Sequence, residues 1–257
     1  MLLLPLLLSI APALTPYAPA DKKDVRKQFV ELAGKKDKDA LVALWKANPG
    51  VVLPVIDADL EGSLKDMEKG EAADSAKVKE KQQRALFGAE CAAIATGHPI
   101  LMDYASSFVG WNAEQKRQFR DGQKVYGASS DALAKGDKAA ALAKGKECIE
   151  RASALGDWWG TAMGYDAVGR AAQALGGIDD ALTALTQARL LNHDLGLMGE
   201  EYQELALLAD LAIAAERWPR ALAFARDAQA LAKTLGDAEG EKALAAKEAT
   251  VRAKLGG

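Results

Sequence analysis

The chain has 257 residues, 49% of them apolar, and a formal net charge of -3, a balance that supplies a sizeable core and excludes a disordered chain. Lysines and glutamates are interleaved rather than blocked, so no basic stripe exists to release phosphate counterions, and nucleic acid is excluded as a partner. Aromatic residues make up 6% and alanine dominates the second half, which suits helices in close approach and disfavours a sheet; the expectation is an all-α fold.

Residues 1–20 differ in kind from the rest. Leu2, Leu3, Leu4, Leu6, Leu7, Leu8, Ile10 and Leu14 form a short apolar run, followed by Ala18-Pro19-Ala20 and then Asp21-Lys22-Lys23. The run resembles a secretory signal peptide with a small-x-small cleavage site, although no lysine or arginine precedes it. Broken by Pro5 and Pro12, it falls short of the ~20 apolar residues that a bilayer span requires. The expectation is export to a periplasmic or extracellular space, the alternative being attachment to the membrane through an uncleaved leader. No later stretch reads as an integral span of the mature chain. The two cysteines, Cys91 and Cys148, are too few for a disulfide scaffold and read as buried free thiols.

Residues 21–76 read as a helical N-terminal region. Val25, Phe29, Val30 and Leu32 fall at helical spacing before Gly34, and Leu41, Leu44 and Trp45 repeat the pattern. Asn48 then reads as an N-cap with Pro49 at the first helical position, opening a helix through Leu53, Ile56, Leu60, Leu64 and Met67. Asp57, Asp59, Glu61, Gly62 and Glu68 match the spacing of a calcium-binding loop. The apolar spacing runs unbroken through them, so the expectation is a helix with a wet acidic face and no metal site. Lys69 to Lys81 reads as a solvated turn, and a long helix follows from about Lys77 to Gly97, where His98-Pro99 ends it.

From there a period of forty residues emerges. Leu155-Gly156, Leu195-Gly196 and Leu235-Gly236 stand one period apart, as do Ala141-Leu142, Ala181-Leu182 and Ala221-Leu222. Residues 77–257 therefore read as stacked helix pairs that bury their apolar faces only against neighbours, with 238–255 as a capping helix. Gly156, Gly196 and Gly236 fall just past helix ends, where left-handed backbone favours glycine. Cys148, Ala188 and Ala228 share a small-residue position on the buried face.

Gly136-Asp137 with Ala141, recurring as Gly176-Gly177 with Ala181, resembles the turn and second-helix start of the tetratricopeptide repeat family. Gly169, Tyr165, Ala188 and Ala228 match its other preferred positions. The period exceeds the usual thirty-four, Glu216-Arg217 replaces one turn glycine, and Val125 and Leu205 stand at the aromatic position, so the likeness is to a long-helix variety. The resemblance implies a right-handed superhelical stack of antiparallel helix hairpins whose first helices line a concave groove for a protein or peptide partner. Carried over by position, the groove candidates are Gln123, Tyr126, Ser130, Met163, Asp166, Arg170, Gln173, Gln203 and Asp210. They contain no cluster of lysine, arginine and asparagine suited to clamping a carboxylate terminus.

No phosphate loop, nucleophile elbow, paired-cysteine cluster or zinc-protease motif is present, so no catalytic residue, cofactor or metal is expected. His98 and His193 read as helix-capping residues, and Trp158, Trp159 and Trp218 as plugs between hairpins. The expected role is a non-catalytic, exported adaptor binding a protein or peptide. The alternatives are a structural or self-assembling component of an envelope complex, and an enzyme of unrecognised type, which would have to gather Asp57, Asp59, Trp45 and His98 in one pocket.

Overall fold

The structure, a computed structural model, describes residues 22–256, so the leader lies outside the described residues. These form α-helices with no strand among them: α1 (Lys22–Lys35), α2 (Lys38–Ala47), α3 (Val52–Glu68), α4 (Ala76–Thr96), α5 (Ile100–Gly110), α6 (Ala113–Ala134), α7 (Lys138–Leu155), α8 (Trp158–Ala174), α9 (Ile178–Asp194), α10 (Met198–Ala214), α11 (Trp218–Leu235) and α12 (Ala238–Lys254). No single one of them is long and apolar enough to cross a membrane.

The forty-residue period is a period of turns. After α6 the Gly136 N–H donates to the Leu133 carbonyl at 3.0 Å and the Asp137 N–H to the Ala132 carbonyl at 2.9 Å, a pair of bonds that satisfies the last carbonyls of the helix and requires a left-handed residue. Gly136 takes φ +81° and Gly176 +84°, but Glu216 takes the same region at +54° without being glycine. Lys36 does so too, and the Asp37 N–H reaches the Leu32 carbonyl at 3.0 Å, so α1 and α2 are joined by the turn that the later repeats use. Aspartate follows several of these residues because its carboxylate accepts an orphan N–H of the next helix: Asp37 from Ala40, Asp137 from Ala140, Asp157 from Gly160 and Asp237 from Gly240.

From α6 to α12 each helix packs on the next. The closest approach is between α7 and α8, where a Cβ on Gly145 would stand 3.0 Å from the Val168 backbone nitrogen and one on Gly164 2.9 Å from that of Ile149. Ala141, Ala181 and Ala221 are fully buried, as are Ala188 and Ala228, with Cys148 close behind. Both cysteines are buried free thiols. The last helix, α12, packs on α11 and buries only Gly240, Leu244 and Val251.

In the N-terminal part α4 packs on α1, α2 and α3. Trp45, completely enclosed, donates its indole N–H to the Gly88 carbonyl at 3.0 Å. Asp59, 1% exposed, holds Arg26 at 2.7 Å and Arg84 at 2.6 Å and so ties α1, α3 and α4 together. Two local expectations are corrected. Val30 is exposed, because the fully buried face of its helix is that of Val25 and Phe29. Asn48 does not cap the following helix: residues Pro49–Val51 form a 3-10 turn with no side-chain cap, and the Asn48 amide instead donates to the Leu44 carbonyl at the end of α2.

The two parts share one core. Phe108, Trp111 and Phe119 stack with centroids 4.6 to 5.3 Å apart, and the Trp111 indole donates to the Leu155 carbonyl at 2.8 Å. Leu155, Leu195 and Leu197, from the turns after α7 and α9, are buried in the same cluster as Leu53, Ile56 and Tyr104. The N-terminal helices thus cover one side of the repeat array, and the cavity described below opens where they meet it.

Candidate functional site

A cavity of about 290 Å³ lies between α3, α5, α6, α7 and α8. Its walls are mostly apolar, from Tyr104, Phe119, Tyr126, Ala152, Leu155, Trp159 and Met163, with Cys148 at one side and Gly122 on the α6 wall. Polar groups interrupt that surface: the carboxylates of Asp57 and Glu61 on successive turns of α3 and of Asp157 at the start of α8, the amides of Gln118 and Gln123, and Arg151, which is paired with Glu147 at 2.8 Å.

Each carboxylate is held differently. The Tyr104 hydroxyl, on a ring 1% exposed, donates to Asp57 Oδ1 at 2.6 Å. Burial pushes the Asp57 carboxyl up to about 6; the Tyr104 bond opposes that shift and the nearby Glu61 charge adds to it. Asp157 Oδ1 accepts the Gly160 N–H at 2.8 Å, yet burial still pushes this carboxyl up to about 7, with Asp57 and Glu61 raising it further. Glu61 is the compensated member: Arg120 Nη1 reaches both its oxygens at 2.9 Å, and the same guanidinium holds Glu68 at 2.7 Å. Among the described residues neither Asp57 nor Asp157 forms an ion pair. Cys148, whose thiol burial pushes up to about 11, lies 3.7 Å from the Gly160 carbonyl and stays protonated.

The residues that the family resemblance marks as groove-facing divide into three sets. Gln123, Tyr126 and Met163 line the cavity. Burial, with the Asp166 charge, pushes the Tyr126 hydroxyl up, Arg170 pairs with Asp166 at 2.8 Å, and Ser130 is exposed one turn after Tyr126. Tyr126 of α6 therefore lies near Asp166 and Arg170 of α8. Gln173 and Gln203 are exposed and make no such contact, and Asp210 pairs with Lys247 of α12 at 2.6 Å.

Glu204 escaped the sequence reading. It is 2% exposed, its Oε1 accepts the Asn192 amide at 2.8 Å, and its Oε2 has no hydrogen-bond partner. Burial pushes it up to about 8, with Asn192 and Arg170 opposing and Asp166 reinforcing. Tyr104 and Asp157 were missed as well.

The residues that an enzyme reading required are scattered. Trp45 is enclosed in the N-terminal core and Asp59 is held by two arginines. His98 accepts the Ile100 N–H through Nδ1 at 3.3 Å, a capping role at the start of α5, and of the four only Asp57 lines the cavity. α3 runs unbroken through the calcium-loop spacing, and Asp57, Asp59 and Glu61 face Tyr104, Arg84 and Arg120 respectively. His193 lies in the last turn of α9 and faces Glu201 at 3.0 Å. Trp158 and Trp159 pack against the shared core, and Trp218 packs near Val251 of α12. No protein-family model matches the chain, and a search of curated proteins finds no significant match.

Proposed function

We propose that the protein is a non-catalytic helical-repeat adaptor of the tetratricopeptide type, a right-handed superhelical stack exported by its leader, that binds a protein or peptide on the side formed by α6, α8 and α10. One observation carries this reading: α6 and α8, consecutive first helices that pack on each other, set Tyr126 and the exposed Ser130 near the Asp166–Arg170 pair. A single helix face is too narrow for a specific interface, whereas neighbouring faces joined by such a network make a continuous polar surface. The exposed Gln173 and Gln203 extend it.

The test is a pull-down from envelope extract with the wild type and three variants as baits. The double exchange Asp166→Arg with Arg170→Asp keeps their ion pair and inverts its direction; Asp210→Lys is a second groove variant; Lys146→Glu, on the exposed side of α7, is the control. A discrete partner retained by the wild type and the control, but lost with the groove variants, is expected. The same partner recovered by all four proteins would contradict the proposal.

A further inference from the structure

The repeat period says what the cavity is made from. In the last unit the buried Tyr202 ring fills the space beside the start of α12, and its hydroxyl donates to Asp237 Oδ2 at 3.0 Å while Asp237 Oδ1 accepts the Gly240 N–H at 2.9 Å. Two periods earlier Asp157 caps α8 through Gly160 in the same way, but the position of Tyr202 is occupied by Gly122, and a Cβ there would meet no atom within 4 Å. The middle unit carries Ala162 and Leu197 at these positions, with neither ring nor carboxylate. Asp157 thus stands beside a glycine where Asp237 stands beside a tyrosine ring, and ring-sized space is left next to it. The N-terminal helices add a second carboxylate, Asp57, to the same space.

We propose that this cavity binds an amine-bearing apolar molecule, its body lying along the wall that Gly122 opens and its ammonium facing the carboxylates of Asp57 and Asp157. An ammonium carries three donors and one positive charge, matching two carboxylates that have no ion-pair partner among the described residues; the third, Glu61, is paired with Arg120. The aromatic rings of Tyr104, Phe119 and Trp159 in the wall favour a cation further. A metal ion is a poor match, because the wall is mostly apolar and the described residues hold no cluster of metal-ligating side chains. An anion would meet two like charges, and the Arg151 guanidinium of the wall is already paired with Glu147. The amine can arrive free or as a lysine side chain of a partner, and the chemistry is the same.

Isothermal titration of the full-length protein tests the proposal with 2-phenylethylamine, its neutral counterpart 2-phenylethanol and its anionic counterpart phenylacetate. The amine binds at least tenfold more tightly than the alcohol, and the acid does not bind. Gly122→Tyr, which restores the ring of the last unit, removes amine binding while raising the thermal midpoint; Gly122→Ala keeps both the fold and the binding. Asp157→Asn, which preserves the cap because asparagine accepts the same N–H, weakens binding at least tenfold. An acetylated peptide with one lysine among apolar residues forms a second arm: preference for it assigns the cavity to a partner's side chain, preference for the free amine to a small molecule. Equal binding of amine and alcohol, full binding by Gly122→Tyr, or no binding of either amine source overturns the proposal. Asp210→Lys leaves amine binding unchanged, so loss of the partner surface and loss of this site are separable.

Discussion

Two glycines inside consecutive first helices should respond to alanine with opposite signs. Gly122 lies mid-way along α6 and Gly164 within α8, so each lowers helix stability by about 1 kcal/mol relative to alanine. At Gly122 the added methyl meets nothing within 4 Å, and the middle unit already has Ala162 at this position, so Gly122→Ala should gain about 1 kcal/mol. At Gly164 the methyl would lie 2.9 Å from the Ile149 nitrogen and 2.8 Å from its Cγ1. A backbone atom cannot rotate away, so α7 and α8 must separate, and overpacking of this kind costs about 1–3 kcal/mol. The upper part of that range applies, and after the propensity gain Gly164→Ala should lose about 1–2 kcal/mol. Urea unfolding of the two variants, with the slope checked to be unchanged, measures both quantities. A Gly164→Ala protein as stable as wild type would refute the close helix approach, and a destabilised Gly122→Ala protein would refute the open wall of the cavity.

Three further outcomes follow from the buried charges and the turns. Asp59→Ala leaves Arg26 and Arg84 facing each other without their carboxylate and should cost about 3–5 kcal/mol in chemical denaturation, whereas loss of an exposed pair such as Lys35 with Glu31 should leave the unfolding midpoint unchanged. Glu204 is raised in the folded state, so its proton is retained on folding between its ordinary value and about 8, and stability falls as pH rises through that window. Glu204→Gln should therefore match wild type near pH 4.5 and exceed it by about 1–3 kcal/mol at pH 8, read as the difference between two melting series; a constant difference across pH would exclude the buried carboxylate as its cause. Glu216→Gly removes a side chain from left-handed backbone and should raise stability by about 0.5–1 kcal/mol, while glycine at the neighbouring Ala215, whose φ is -88°, should lower it.

The helices were legible because their ends are written in local chemistry. Gly156, Gly196 and Gly236 mark left-handed turns wherever they occur, and the small residues one period apart mark the faces that must come close. Lys36 hid the equivalent turn between α1 and α2, since the geometry there is imposed by the bonds to Leu32 and Ala33 rather than announced by a glycine. Half of the cavity was also written in the period, in the exchange of Tyr202 for Gly122 opposite a retained aspartate. The other half was not. Asp57 and Tyr104 are 47 residues apart and belong to no repeat, and their hydrogen bond depends on how the N-terminal helices dock onto the array, a tertiary fact with no local signal. The same holds for Glu204, whose place on α10 is ordinary and whose burial is set by α9 beside it.

The account rests on partner binding by the side that α6, α8 and α10 share, and site-specific photocrosslinking tests it most directly. A benzophenone side chain is placed in turn at the exposed Gln173 and Gln203, and at the exposed Lys146 and Gln187 of the intervening helices, in protein expressed in its native cells. The account predicts one discrete adduct from the first pair of positions and none from the second. An adduct formed from Lys146 or Gln187 and absent at Gln173 and Gln203 would contradict it.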